Sequence, residues 1–102
     1  LTDIEDLKQF THYAPKSFAL FQNYPNPFNP VTSITFQIDR QSHVSLKIYN
    51  TLGEEVATLL NDALQAGRYS YQWDASGFAT GMYICRLKTA NHSQSIKVQL
   101  IK

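Results

Sequence analysis

The sequence predicts an all-β domain of about seven short strands, arranged as a sandwich or a barrel. Three observations predict it. From Pro30 onward, apolar and polar residues alternate with a period of two. Turn-forming residues interrupt that alternation every eight to twelve residues. The chain breakers are also segregated, with all four prolines between Pro15 and Pro30 and all four glycines between Gly53 and Gly81.

The elements follow in order. A short strand is expected around Phe18 to Phe21, just ahead of the prolines. Ile34, Phe36 and Ile38 then alternate with Ser33, Thr35 and Gln37, and Val44, Leu46 and Ile48 with Ser45, Lys47 and Tyr49. Val56 to Leu60 is less regular; Val56 and Leu59 fit a short strand with a bulge or one helical turn. Tyr69, Tyr71 and Trp73 alternate with Ser70 and Gln72, Tyr83, Cys85 and Leu87 with Ile84 and Arg86, and Ile96, Val98 and Leu100 with Lys97 and Gln99. Each run reads as a half-buried strand with one face on the core. The separators suit turns. Asp39 to Ser42 is polar, Gly53 supplies a positive φ for a tight hairpin, and Ala66-Gly67 ends a loop. Ala75 to Gly81 reads as a looser connection, and Asn91-His92-Ser93 closes the last hairpin.

Bulk properties narrow the function. The 102 residues make one domain, large enough to bury a core without metal or disulfide staples. Hydrophobic content of 43% and charged content of 17% exclude a disordered chain. Nine basic and eight acidic residues leave a net charge of +1, with the cations spaced singly along the sequence, which argues against a nucleic-acid or anionic-membrane surface. Cys85 is the lone cysteine, so no internal disulfide forms and the redox compartment stays open. No apolar run approaches the ~20 residues that span a bilayer. The chain starts at Leu1 and is expected to be a piece of a longer protein. Residues 1–16 are then a leader from a preceding domain, with Leu1, Ile4, Leu7 and Phe10 spaced for a helical turn or two and Thr2 and Glu5 as a capping box. Residues 17–102 form the body.

Candidate chemistry is sparse. His12, His43 and His92 fall in the leader, at a strand start and in a turn, with no metal-ligand spacing. Asp3, Glu5 and Asp6 in the leader and Glu54-Glu55 in a hairpin have no facing partner for acid–base work. Asp74 reads as a turn or cap residue, and Cys85 as a small buried hydrophobe. No glycine-rich phosphate loop is present. Neither cofactor nor catalysis is expected, and although the loops have room for calcium, nothing demands it.

Asn23-Tyr24-Pro25-Asn26-Pro27-Phe28-Asn29-Pro30 is the most informative stretch. Its three prolines remove three amide donors, and Tyr24, Asn26 and Asn29 before them are pushed to extended geometry. It is expected to run as a stiff edge or crossover, with its asparagines bonding their own backbone and Tyr24 and Phe28 burying their rings.

From this point the wording resembles a known family. QNYPNPFNP followed by VTSITFQI is similar to the opening of the type A sorting domains of type IX secretion. The likeness continues through VSLKIYNTLGEEVATLL and AGRYSYQWDASGFATGMYICRL to IKVQLIK, covering about Phe18 to Lys102. Departures are small: Met82 stands where the family often has valine, and Lys97 where it often has a doubled lysine. The resemblance implies an immunoglobulin-like β-sandwich, similar also to the domain of the flagellar hook-capping protein. It implies a domain at the C-terminus of secreted cargo in Bacteroidota and related bacteria. The cargo would cross the periplasm and be recognised by the outer-membrane translocon, after which a surface sortase removes the domain in many members. The protein would end at the cell surface or in the medium, with any enzymology in the cargo. The recognition residues expected are Lys97, Val98, Gln99, Leu100, Ile101 and Lys102 in an exposed terminal strand, read by strand addition, with Gly77, Gly81 and Tyr83 holding the neighbouring conformation. Cleavage by the sortase is expected between Leu1 and Pro15.

Two other roles compete. A carbohydrate-binding module would use Tyr69, Tyr71 and Trp73 as an aromatic strip, against the expectation that this face is core with Trp73 at its centre. A spacer module would need only the fold.

Overall fold

The structure is a computed structural model describing residues 15–102. The leader's helical turn, its three carboxylates and His12 lie outside the described residues.

Seven strands form in the expected order: β1 (Ala19–Leu20), β2 (Val31–Ile38), β3 (Ser42–Tyr49), β4 (Glu55–Leu64), β5 (Gly67–Asp74), β6 (Gly81–Lys88) and β7 (Ser93–Leu100). They pair antiparallel into a three-stranded sheet of order β1-β2-β5 and a four-stranded sheet of order β4-β3-β6-β7. This two-layer all-β arrangement is a sandwich, which resolves the choice the sequence left open.

Strict alternation produces it. In β2, Thr32, Ile34, Phe36 and Ile38 are buried while Val31, Ser33, Thr35 and Gln37 are half-exposed, and β3 repeats the pattern with Val44, Leu46 and Ile48. Tyr83, Cys85 and Leu87 from β6 and Val98 and Leu100 from β7 complete the inner face of the larger sheet. Burying each large aliphatic side chain contributes about 1.5–3 kcal/mol, so a one-residue slip of any strand would forfeit the set.

The turns also behave as their chemistry requires. Between β3 and β4, Asn50 Oδ1 accepts the amides of Leu52 (3.0 Å) and Glu54 (2.9 Å), and Gly53 takes φ +85°. β4 explains why its sequence read poorly. Register shifts against β3 between Leu46 and Lys47 and between Ile48 and Tyr49 leave Leu59 and Val56 without cross-strand partners. It is a bulged strand, and it runs four residues past the expected end to Leu64.

Candidate recognition surface

The proline segment leaves β1 and crosses the open side between the two sheets. It is tied first to the smaller sheet: Phe21 N–H donates to Thr35 O at 3.0 Å, and Tyr24 and Ser33 exchange backbone bonds of 3.0 and 2.9 Å. Asn23 is buried beneath it. Its Nδ2 donates to Pro25 O (3.0 Å) and to Thr32 Oγ1 (2.9 Å), and the Thr32 hydroxyl donates to Pro25 O (2.8 Å). The segment then reaches the larger sheet. Phe28 N–H donates to Gln99 O and Ile101 N–H donates to Phe28 O, each at 2.9 Å, forming a parallel bridge between Phe28 and Leu100. Between the two anchor points Asn26 Oδ1 accepts the Gln99 amide at 3.1 Å, and ahead of them Gln22 Nε2 donates to Lys97 O at 2.9 Å. The peptide bonds before Pro25, Pro27 and Pro30 are cis. The segment is therefore a strap joining the two sheets.

This geometry corrects two expectations. The outer edge of β7 does not offer free amides along its length: Gln99 is bonded through both backbone groups and Ile101 through its N–H. Prolines cannot extend a ladder themselves, but the one non-proline residue between Pro27 and Asn29, Phe28, can close the neighbouring edge. Tyr24 does not bury its ring; it is 81% exposed, and Phe28 alone, at 1%, anchors the strap. Of the asparagines, Asn23 bonds its own segment as expected, whereas Asn26 bonds β7.

Phe28 belongs to an aromatic cluster. Its ring lies 5.5 Å from Trp73, which contacts Phe78 and Tyr83 at 5.4 Å each. Trp73 is buried, as expected, and Tyr69 and Tyr71 stack inward on Phe36 rather than presenting an exposed strip. The cluster holds the 75–80 loop as well. Ala75 N–H donates to Pro30 O at 2.9 Å, Tyr83 Oη donates to Ala79 O at 2.6 Å, and Asp74 Oδ1 accepts the Ser76 amide at 3.0 Å and the Ser76 hydroxyl. Those bonds hold the Asp74 carboxyl below its ordinary range, the side-chain bond contributing most.

The expected recognition residues converge at this end of the sandwich. Gly81 pairs with Leu100 and Tyr83 with Val98, and Lys102 Nζ donates to Ser76 O at 3.1 Å, next to Gly77. They divide into two groups. Lys97, Gln99, Ile101, Lys102 and Gly77 face solvent. Val98 and Leu100 are fully buried and Tyr83 nearly so, so a partner cannot touch them without opening the domain. Gly81 takes φ +154°, a conformation that disfavours a side chain.

Sequence reasoning missed Gln22, Thr32 and Gln94, whose Nε2 and Oε1 bond both backbone groups of Leu20, and it missed that Asn26 bonds β7. Polar residues near prolines hint at such roles, but the partners of Gln22, Gln94 and Asn26 lie 75, 74 and 73 positions away.

Elsewhere the surface is unremarkable for chemistry. A shallow depression of about 380 Å³ on the outer face of the larger sheet is lined by His43, Lys47, Arg86 and Lys88 among others. Pairing of Lys47 with Arg86 across β3 and β6 gathers cations that are scattered in sequence, and Glu55 pairs with Lys47 at 3.2 Å. Among the described residues no three His, Cys, Asp or Glu side chains group as metal ligands. No described helix is long and apolar enough to cross a membrane. Cys85 is fully buried, and burial pushes its thiol up to about 12, which makes it a poor nucleophile.

A family model described as the secretion system C-terminal sorting domain matches residues 22–102, from the glutamine ahead of the strap to the final lysine. No curated protein matches the chain.

Proposed function

The chain belongs to the secretion system C-terminal sorting domain family and is a sorting signal for type IX secretion, and from that premise we propose how it is read. Membership implies export to the surface or medium and engagement of the type IX machinery, and the family itself is not catalytic. In our reading the signal is the strapped end of the sandwich, and residues 1–16 are the link to an upstream cargo that carries any enzymatic activity. The route runs through the periplasm to the outer-membrane translocon, with a sortase cutting in that link where the domain is removed.

One observation carries this reading: the strap clamps the tail, so that Lys97 and Gln99 project from a strand bonded on both sides, with Ile101 held through its amide and Lys102 through its ammonium group. A translocon can then recognise a preformed surface of two ammonium groups, an amide and an aliphatic side chain, with little ordering cost. Strand addition at Gln99 to Ile101 would first have to displace Phe28, so the tail is read through its side chains. Val98, Leu100, Tyr83 and Gly81 act by holding it.

A reporter carrying a periplasmic signal peptide, fused ahead of this chain in a host with a type IX system, tests the reading. The wild-type fusion is expected at the surface or in the medium. Deleting Gln99 to Lys102, or the double change Lys97→Glu and Lys102→Glu, is expected to leave it in the periplasm, while Lys88→Glu on the far part of the sheet is exported. Export of the double variant at the wild-type level would discard the tail as the recognised element. The carbohydrate-binding reading gains no support, because the aromatic strip it would need is turned inward.

A further inference from the structure

The two sheets have four outermost strands, and three of them are blunted. β1 is two residues long, β4 carries two irregularities, and β7 is covered by the strap. β5 is different. It pairs with β2 without a register shift over all eight of its residues, contains no proline, and is the last strand of its sheet. Because Ala75 donates inward to Pro30, alternation turns the backbone groups of Arg68, Ser70, Gln72 and Asp74 outward. Beside this edge, Tyr69 and Tyr71 from β5 and Val56, Leu59, Leu60 and Leu64 from β4 stay only half-buried. An extended strand placed here would satisfy the amides and cover that apolar row.

We propose that a second copy of this chain occupies the edge, by antiparallel pairing of β5 with β5 across a two-fold axis to give one continuous six-stranded sheet. Charge complementarity selects the occupant and the register. Centring the axis on Tyr71 sets Ser70 opposite Gln72 of the second copy and Arg68 opposite its Asp74, twice by symmetry, while the two Tyr71 rings meet on the inner face. Asp74 uses Oδ1 for Ser76, which leaves Oδ2 for the incoming guanidinium. Arg68 now lies over the Phe21 ring at 4.7 Å, an exposed contact that it can retain or exchange. This pairing is tested separately from how the tail is read, since it is measured by association of the isolated chain and not by export.

Sedimentation equilibrium on the full 102-residue chain, from about 10 µM to about 1 mM, the range of a small interface, tests it. A reversible monomer–dimer equilibrium is expected. Ser70→Pro, which removes an outward amide, is expected to leave only monomer. Arg68→Asp and Asp74→Arg alone are each expected to raise the dissociation constant about tenfold or more. The double variant Arg68→Asp/Asp74→Arg is expected to return within about threefold of wild type. Circular dichroism checks that Ser70→Pro is folded; if it is not, the charge-reversal set decides alone. A chain that stays monomeric throughout, or a dimer indifferent to the charge reversals, overturns the proposal.

Discussion

On one flank of the sandwich the edges of β1 and β7 are joined by a proline strap; on the other, β4 passes through residues 65–66 into β5 of the opposite sheet, and the two strands do not pair. Both flanks have the same backbone problem, a row of amides with no ladder partner. The strapped flank solves it with local sequence: prolines that cannot demand partners, an asparagine carbonyl for Gln99, and one ring driven into the core. The bare flank relies on bulges in β4 and leaves β5 open. The difference shows that an edge can be made part of a signal by fixing its backbone, because side chains on a clamped strand present a constant surface.

The largest effect should come from removing the strap's anchor. Phe28→Ala empties a buried aromatic site against Trp73 and is expected to cost about 3–5 kcal/mol in urea denaturation followed by Trp73 fluorescence. Tyr71→Ala, its counterpart on the bare flank, removes a half-buried ring and should cost about half that or less. Equal losses would mean that the strap contributes no more than ordinary packing. Tyr24→Ala, within the strap but exposed, should stay within about 0.5 kcal/mol of wild type.

Next in size is the polar pair beneath the strap. Asn23→Ala leaves the buried Thr32 hydroxyl without its donor and is expected to cost about 1–3 kcal/mol, whereas Ser70→Ala on the bare edge should be near neutral. A neutral Asn23→Ala would place the strap's hold entirely in Phe28.

Cys85 reports on both flanks from the centre. Fully buried and with its thiol raised to about 12, it should resist alkylation at pH 8 in the folded chain, reacting only through opening. Phe28→Ala should accelerate labelling roughly as it lowers stability, and Tyr71→Ala by less. Rapid labelling of the wild type would contradict the packing of β6 against the smaller sheet.

Much of this was legible in advance, and the reason is periodicity. Ile34, Phe36 and Ile38, or Val44, Leu46 and Ile48, announce their burial because a strand in a two-layer fold has only two faces. Val56 to Leu64 resisted because two bulges break the period, and nothing local says whether Val56 and Leu59 belong to a strand or a helix turn. At the recognition end the residues were legible but not their exposure. The alternation of β7 separates Lys97 and Gln99 from Val98 and Leu100, while closure of its edge depends on Phe28, some 70 positions earlier, and on partners that only the folded topology supplies. Tyr24 misled for a similar reason: an aromatic beside proline reads as an anchor, but of the strap's two rings Phe28 is the one turned inward.

The smallest effect separates the flanks by their carboxylates. Asp74 sits where β5 meets the strapped end, held below its ordinary value first by the Ser76 hydroxyl and then by the Ser76 amide. Glu55 begins β4 on the bare flank, lowered first by the Thr58 hydroxyl and then by Lys47. In both the folded value lies below the unfolded one, so each contributes stability that is complete above the ordinary carboxylate range and is lost as the pH falls through the folded value. Asp74→Asn and Glu55→Gln should therefore differ from wild type at pH 7 and converge with it in acid, by small amounts because both groups are exposed. Salt then tells them apart. Adding 1 M NaCl should shrink the Glu55→Gln difference, part of which is an ion pair with Lys47, and leave the Asp74→Asn difference, which rests on hydrogen bonds to Ser76, nearly unchanged. A salt-sensitive Asp74→Asn difference in dilute protein would mean that a cation already faces Asp74 in the monomer, and the comparison of a clamped flank with an open one would have to be redrawn there.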